Sequence, residues 1–326
     1  MFKSIYSSEL KMYYDLRHKT LSESAIKHEA CYLKRFDNYL NCNVKVRGSL
    51  PETLINNWVK TIKGKSSSVE NEVIVVRQFL YYLQFSGIET YIPVIPKVHD
   101  DYTPYIFSDI EIEKIFADAD NIIIKDKKAD PAIVIEFPVI LRLLYSCGLR
   151  IGETVKIRLA DVDLKNGVLY MYNTKNEKHR IVPVSVEMKT ILQKYCMAYG
   201  LSGQHDGWLF LPSRLTDSHI SDNAIKHRFE AILKNNSIQL PNSKKFERGP
   251  CLHCFRHVFA FKSFAQAEHA GRDLDDAIPY LSIYLGHKSL DETSKYLKFS
   301  NEMFPAAIDY FGDFMEGLMP EVDYET

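Results

Sequence analysis

At 326 residues the chain is too long for one ordinary hydrophobic core and suits two domains. An apolar fraction of 46% argues against wholesale disorder, and six scattered cysteines argue against a disulfide-stapled scaffold and fit a reducing, cytoplasmic setting. The formal net charge of -1 does not announce a nucleic-acid partner, yet it hides an asymmetry: with the acidic stretch around Asp109–Asp120 and the acidic tail after Lys298 set aside, the remainder is net positive.

Residues 1–98 read as a helical domain. Thr20 and Glu23 have the spacing of a capping box, followed by a periodic helix to about Leu40. Pro51 suits the first position of another helix running through Trp58 and Ile62. After the loop Gly64 to Ser68, Ser67 and Glu70 form a second capping-box spacing. Val69, Val73, Val76, Leu80 and Leu83 then repeat at three and four residues, one buried stripe on a helix ending near Gly87. Three prolines between Tyr91 and Pro104 mark an extended connection, with the linker placed at 99–106.

A second domain is expected over 107–302. Ser108 with Glu111 caps its first helix, and Pro131 opens an apolar helix ending at Cys147-Gly148. Glu136, Pro138 and Arg142 interrupt that stretch, so it reads as a core helix and not a membrane span; the first residues, Met1 to Ile5, lack a signal-peptide hydrophobic run. Val168–Tyr172 and Arg180–Val184 are β-rich runs around a polar turn, a hairpin. Helical patterning resumes after Pro183, broken near Gly203 and from Pro241 to Pro250. The predicted fold is therefore mainly α with a small β-sheet. Residues 303–326 form a separate tail, in which Phe304, Ile308, Phe311 and Met315 share one helical stripe.

Four clusters in the second domain carry chemistry. Cys147-Gly-Leu-Arg150-Ile-Gly-Glu153 puts an arginine at a helix junction, where its fork can hold a phosphate while Glu153 orients it. Taken alone, a surface ion pair explains it as well. Thr174 to Arg180 supplies hairpin-turn lysines able to protonate a departing alkoxide, or simply a solvated turn. His253-Cys-Phe-Arg256-His257 places a histidine and an arginine on one helix face. Cys251-x-x-Cys254 beside two histidines raises zinc, but no second pair at zinc-finger spacing accompanies it. Finally, Leu285-Gly286-His287 ends one helix, Ser289 can cap the next, and Tyr296 follows nine residues after His287. One tyrosine among 20 proves nothing by itself.

The conjunction, in this order, resembles the tyrosine recombinases of the phage integrase family, whose pattern is Gly-Leu-Arg-x-x-Glu, a hairpin lysine, His-x-x-Arg-His, and Leu-Gly-His before a nucleophilic tyrosine. The resemblance spans about Thr103 to Phe299. The first domain is similar, less specifically, to the family's core-type DNA-binding domain. The resemblance implies an α+β catalytic domain with Arg150, Lys175, His253, Arg256, His287 and Tyr296 as catalytic residues. Thr174 and Asn176 stand where the family usually has glycine, which keeps Lys178 open as the hairpin lysine, and Phe255 stands where leucine is usual.

The implied reaction breaks and rejoins double-stranded DNA through a 3′-phosphotyrosyl bond. It proceeds by a Holliday junction in a homotetramer, with the tail as a possible connector between protomers. No cofactor or metal is called for, since arginines supply the charge a metal would. Lysines and arginines of the first domain (Arg17, Lys19, Lys34, Arg35, Lys45, Arg47, Lys60, Lys63 and Lys65) are candidate phosphate contacts. The short region before the first helices leaves no room for a separate arm-binding domain, and a mobile-element recombinase is expected. Two rivals stand beside this reading: a type IB topoisomerase, and a non-catalytic DNA-binding regulator that keeps the fold.

Overall fold

The computed structural model describes residues 2–97, 104–123, 131–172, 179–211, 218–239 and 249–294. The chain divides into two compact units, Met1–Tyr102 and Thr103–Thr326. The sequence-predicted turn with Lys175 and Lys178, the segment with Tyr296, and the tail 303–326 lie outside the described residues.

In the first unit, α1 (Ser7–His18), α2 (Glu23–Asn43), α3 (Glu52–Thr61) and α4 (Ser66–Phe85) surround one core. Val73, Val76, Leu80 and Leu83 are buried as the stripe requires, and Phe79 joins them against Phe36 of α2. Phe36 in turn meets the edge of Trp58 at 4.8 Å. Helix α1 was not separately legible: only Leu10 and Tyr13 of its apolar residues are buried with Tyr6, while Met12 and Leu16 face outward.

The helix starts differ from the sequence reading. The N-cap of α2 is Ser22, whose hydroxyl accepts from Ala25 N, while the Thr20 hydroxyl donates back to the Arg17 carbonyl. Pro51 is an extended N-cap and not the first helical residue. Helix α4 opens at Ser66, which puts Ser67 inside its first turn, too late to cap.

The basic candidates of this unit also separate. Arg35 forks onto the buried Glu72, Arg47 pairs with Glu9, and Arg17 Nη2 reaches Glu29 Oε1 at 2.6 Å. These three arginines tie elements of the unit together.

The second unit is built around α6 (Ile133–Cys147), which is apolar nearly all round because neighbours cover it on several sides: α5 (Asp109–Asp120), α8 (Val186–Ala198) and α10 (His253–His269). The Ser108–Glu111 capping box is present. Short helix α7 (Ile151–Thr154) and a 3-10 turn (Leu159–Asp161) lead into a three-stranded antiparallel sheet of β1 (Val162–Asp163), β2 (Val168–Met171) and β3 (Arg180–Pro183). In the hairpin Val168 opposes Pro183 and Met171 opposes Arg180. Helices α9 (Asp222–Asn235), α11 (Leu274–Leu285) and α12 (Asp291–Ser294) complete the described part. Phe255, the departure in the third cluster, is fully buried among Phe107, Phe116, Tyr145 and Phe229, so an aromatic nest receives it.

Candidate functional site

Two helices end in the same way and at the same place. Helix α6 stops at Gly148 (φ 58°) and α11 at Gly286 (φ 66°), both in the left-handed conformation that glycine adopts without a Cβ penalty. Arg256, on the first turn of α10 and 1% exposed, spans the two ends. Its Nη1 donates to Gly148 O at 2.8 Å and its Nη2 to Leu285 O at 2.6 Å. The partial negative charge of two helix C-termini thus holds one guanidinium. The chain leaving each glycine then delivers a further polar residue: Arg150 two residues after one, His287 immediately after the other.

Arg150 is the extended N-cap of α7. Its Nη1 bonds Glu153 Oε1 at 2.8 Å, and Glu153 Oε2 faces the Arg150 backbone N at 3.4 Å. Glu153 therefore does orient Arg150, as its spacing suggested. The same carboxylate accepts from Arg180 Nη2 at 2.7 Å. Burial opposes ionisation of Glu153, but the hydrogen bonds and charges of Arg180 and Arg150 hold its carboxyl below the usual range.

His253 begins α10, and its ring meets that of His257 edge-on with centroids 4.8 Å apart. His287 is buried, with Nδ1 2.6 Å from Thr293 Oγ1 of α12. Burial, then the charges of Arg256 and Arg150, with smaller effects from His253 and Arg180, push its pKa down to about 3. With its pKa so lowered, His287 contributes a hydrogen-bonding neutral imidazole at neutral pH, not a cation. Ser289 does not cap α12; Leu290 O accepts the first backbone bonds there, from Thr293 N and Ser294 N.

The structure thus brings Arg150, His253, Arg256 and His287 into one electrostatic neighbourhood. Lys175 and Tyr296 lie outside the described residues. Arg180 was missed as a site residue. A signal existed, because β3 alternates buried and exposed, with Arg180 and Val182 turned inward while Ile181 is 58% exposed. The sulfurs of Cys251 and Cys254 lie 3.8 Å apart, within hydrogen-bond contact, and among the described residues no group of three or more metal-ligating side chains converges. No helix of the described residues is long and apolar enough to cross a membrane.

A mainly helical unit with a small antiparallel sheet, and arginines and histidines gathered where two helices end, is the arrangement of a tyrosine recombinase catalytic domain. The model of the phage integrase family matches residues 108–303, and the chain belongs to that family, the tyrosine recombinases, which are DNA strand-exchanging enzymes. It is 26% identical over 313 residues to y4rE of Sinorhizobium fredii, named as an integrase/recombinase, covering 94% of this chain and 96% of the relative. It is 26% identical over 243 residues to the tyrosine recombinase XerC of Staphylococcus saprophyticus, covering 73% of each chain. Its fold is similar to that of the XerH site-specific recombinase bound to palindromic difH substrate. That match has a TM-score of 0.66 at 18% identity and covers 92% of this chain and 84% of the other. A lambda integrase dimer bound to a core site matches with a TM-score of 0.65 at 16% identity, over 90% of this chain and 77% of the other.

Proposed function

We propose that this protein recombines specific double-stranded DNA sites, with Tyr296 as nucleophile and Arg150, Lys175, His253, Arg256 and His287 as the groups that act on the scissile phosphate. The observation that carries the reading is the convergence of Arg150, His253, Arg256 and His287 on the paired ends of α6 and α11. Arg150 and Arg180 share a single carboxylate, so the cluster is cationic and suited to a phosphodiester anion.

In the reaction the Tyr296 oxygen attacks phosphorus and the bond to the 5′ oxygen breaks. A phenol with a reference pKa of about 10 must lose its proton on the way, and in this reading His253 is the base that accepts it. Negative charge grows on the nonbridging oxygens, where Arg150 and Arg256 stabilise it and neutral His287 adds a hydrogen bond. Removing one such donor costs roughly 10²- to 10³-fold in rate. Lys175, with Lys178 as the alternative, protonates the leaving 5′ oxygen. The phosphotyrosyl ester retains the energy of the broken bond, and attack by a 5′ hydroxyl of a second duplex reverses the step.

Strand exchange between two duplexes then proceeds through a Holliday junction in a homotetramer. The lambda integrase tetramer bound to a Holliday junction shares this fold. The first unit, Met1–Tyr102, supplies further DNA contact, and a mobile element is the natural setting. The apolar stripe of the tail docks on a neighbouring protomer and helps set that protomer's tyrosine. A groove between α10 and α11, lined by Phe259, Ala267, Ala277 and Tyr280, is a surface such a stripe can fill.

The test is a nicked suicide substrate carrying the recombination site. A covalent protein–DNA adduct, abolished in Tyr296→Phe, supports the reading. Tight binding to a proven site without an adduct points instead to a DNA-binding regulator, and relaxation of supercoiled DNA by the isolated monomer points to a topoisomerase.

A further inference from the structure

Arg180 is the least expected residue of this cluster. It sits at the start of β3, the second strand of the hairpin, and its side chain is 5% exposed. One nitrogen, Nη2, bonds Glu153 Oε2 at 2.7 Å. The Nε and Nη1 groups are buried and find no acceptor among the described residues. The guanidinium also lies directly against Gly286: a Cβ there would meet Arg180 Nη1 at 3.1 Å, Cδ at 3.3 Å and Cζ at 3.4 Å.

Burying a cation with one shared carboxylate is costly, and a structural role alone is better served by an apolar side chain of similar volume. Arg180 instead touches two of the elements that the reaction depends on. Through Glu153 it fixes the carboxylate that aims Arg150. Through its contact with Gly286 it supports the turn from which His287 departs. It does both from the strand that follows, in sequence, the segment containing Lys175.

We propose that Arg180 is a positioning residue of strand transfer: by gripping Glu153 and packing against Gly286 it sets Arg150 and His287 relative to the hairpin and supplies a fixed positive charge beside them. The inference rests on the recombinase reading of the site. His287 is faced by Arg256 and His253 from α10, by Arg150 ahead of α7, by Thr293 from α12 and by Arg180 from β3. Removing one of these cations makes protonation of His287 easier.

The experiment uses the full chain with Arg180→Gln and Arg180→Lys. Three quantities are read: affinity for the site DNA, single-turnover cleavage of the suicide substrate across pH, and the titration of His287 by NMR in the DNA-free protein. Arg180→Gln is expected to slow cleavage at saturating DNA by about 10²-fold as misplacement of reacting groups does, and to raise the His287 pKa. Arg180→Lys keeps the charge without the fork. It is expected to leave the His287 titration near that of the parent while cleavage is still slowed, and it decides the matter where the Gln variant does not fold. Parental cleavage rates in a folded variant, or an unchanged His287 titration in Arg180→Gln, overturn the proposal. Absence of an adduct with the parent protein itself defeats the recombinase reading, and the NMR titration still tests the electrostatic role of Arg180 in that event.

Discussion

Substituting Gly148 by alanine tests the idea that a helix end, and not only a charged side chain, builds this site. At φ 58° an L side chain is strained by about 1–2 kcal/mol. The added Cβ would also lie 2.6 Å from Cδ1 and 2.9 Å from Cγ of Phe259, and 3.2 Å from Cδ2 of Leu285. Phe259 cannot simply retreat, because its ring is stacked on Tyr284 at 5.2 Å. Overpacking of this kind adds about 1–3 kcal/mol, for a total of about 2–5 kcal/mol. Gly271 provides the control in the same unit: its φ is 68°, yet no atom lies within 4 Å of a Cβ there, so Gly271→Ala should cost only the conformational part, about 1–2 kcal/mol. Urea unfolding read from Trp208, in a Trp58→Phe background so that only the second unit reports, separates the two. The Gly148 carbonyl holds Arg256 Nη1 at 2.8 Å, so any displacement should also slow cleavage beyond what stability explains. Equal destabilisation by the two alanines, within about 0.5 kcal/mol, refutes the reasoning.

Other consequences are as direct. His287 has a folded pKa of about 3 against an ordinary 6.5, so the unfolded chain binds its proton first; stability should fall as pH drops from about 6.5 toward 3, and His287→Asn should flatten that part of the profile. The slope this one group contributes is at most about 1.4 kcal/mol per pH unit, measurable by urea midpoints at successive pH values. Arg35→Ala should destabilise the first unit by about 1–3 kcal/mol because it orphans the buried Glu72, while leaving the salt dependence of DNA binding unchanged. Removing the chain after Ser300 in a Tyr296→Phe background should leave single-site DNA binding intact but prevent higher oligomers on paired sites; unchanged oligomers remove the tail from the mechanism.

How much of this was legible in the sequence depends on whether the determining physics is local. The glycine ends of α6 and α11, the Ser108 capping box and the hairpin strands all follow from a few adjacent residues, and the structure reproduces them. Thr20 was misread because several hydroxyls precede α2 and Ser22 is the one that caps it, and Ser67 because α4 already begins at Ser66, with Lys65 at the N-cap and no side-chain cap. The DNA-contact candidates of the first unit could not be ranked because Arg17, Arg35 and Arg47 find their carboxylates 12, 37 and 38 residues away. Arg180 was hidden for the same reason: its partners Glu153 and Gly286 lie on elements that only the fold brings to β3.

The two glycine ends explain why motifs far apart in sequence act as one. Each places a left-handed residue, and so a sharp exit, at the carbonyl end of a helix, and each exit throws the next polar side chain toward the same point. Arg256 is held by both carbonyl ends at once, so the spacing between Arg150 and His287 is governed by the reach of one rigid guanidinium. A lysine at 256 has a single nitrogen on a flexible stem and cannot bridge both ends. Arg256→Lys should therefore disturb Arg150 and His287 together, and its effect should be far less than additive with substitution of either. Additive losses in a double-mutant cycle on cleavage rate would mean that the three residues are set independently and that the shared helix-end geometry has no part in aligning them.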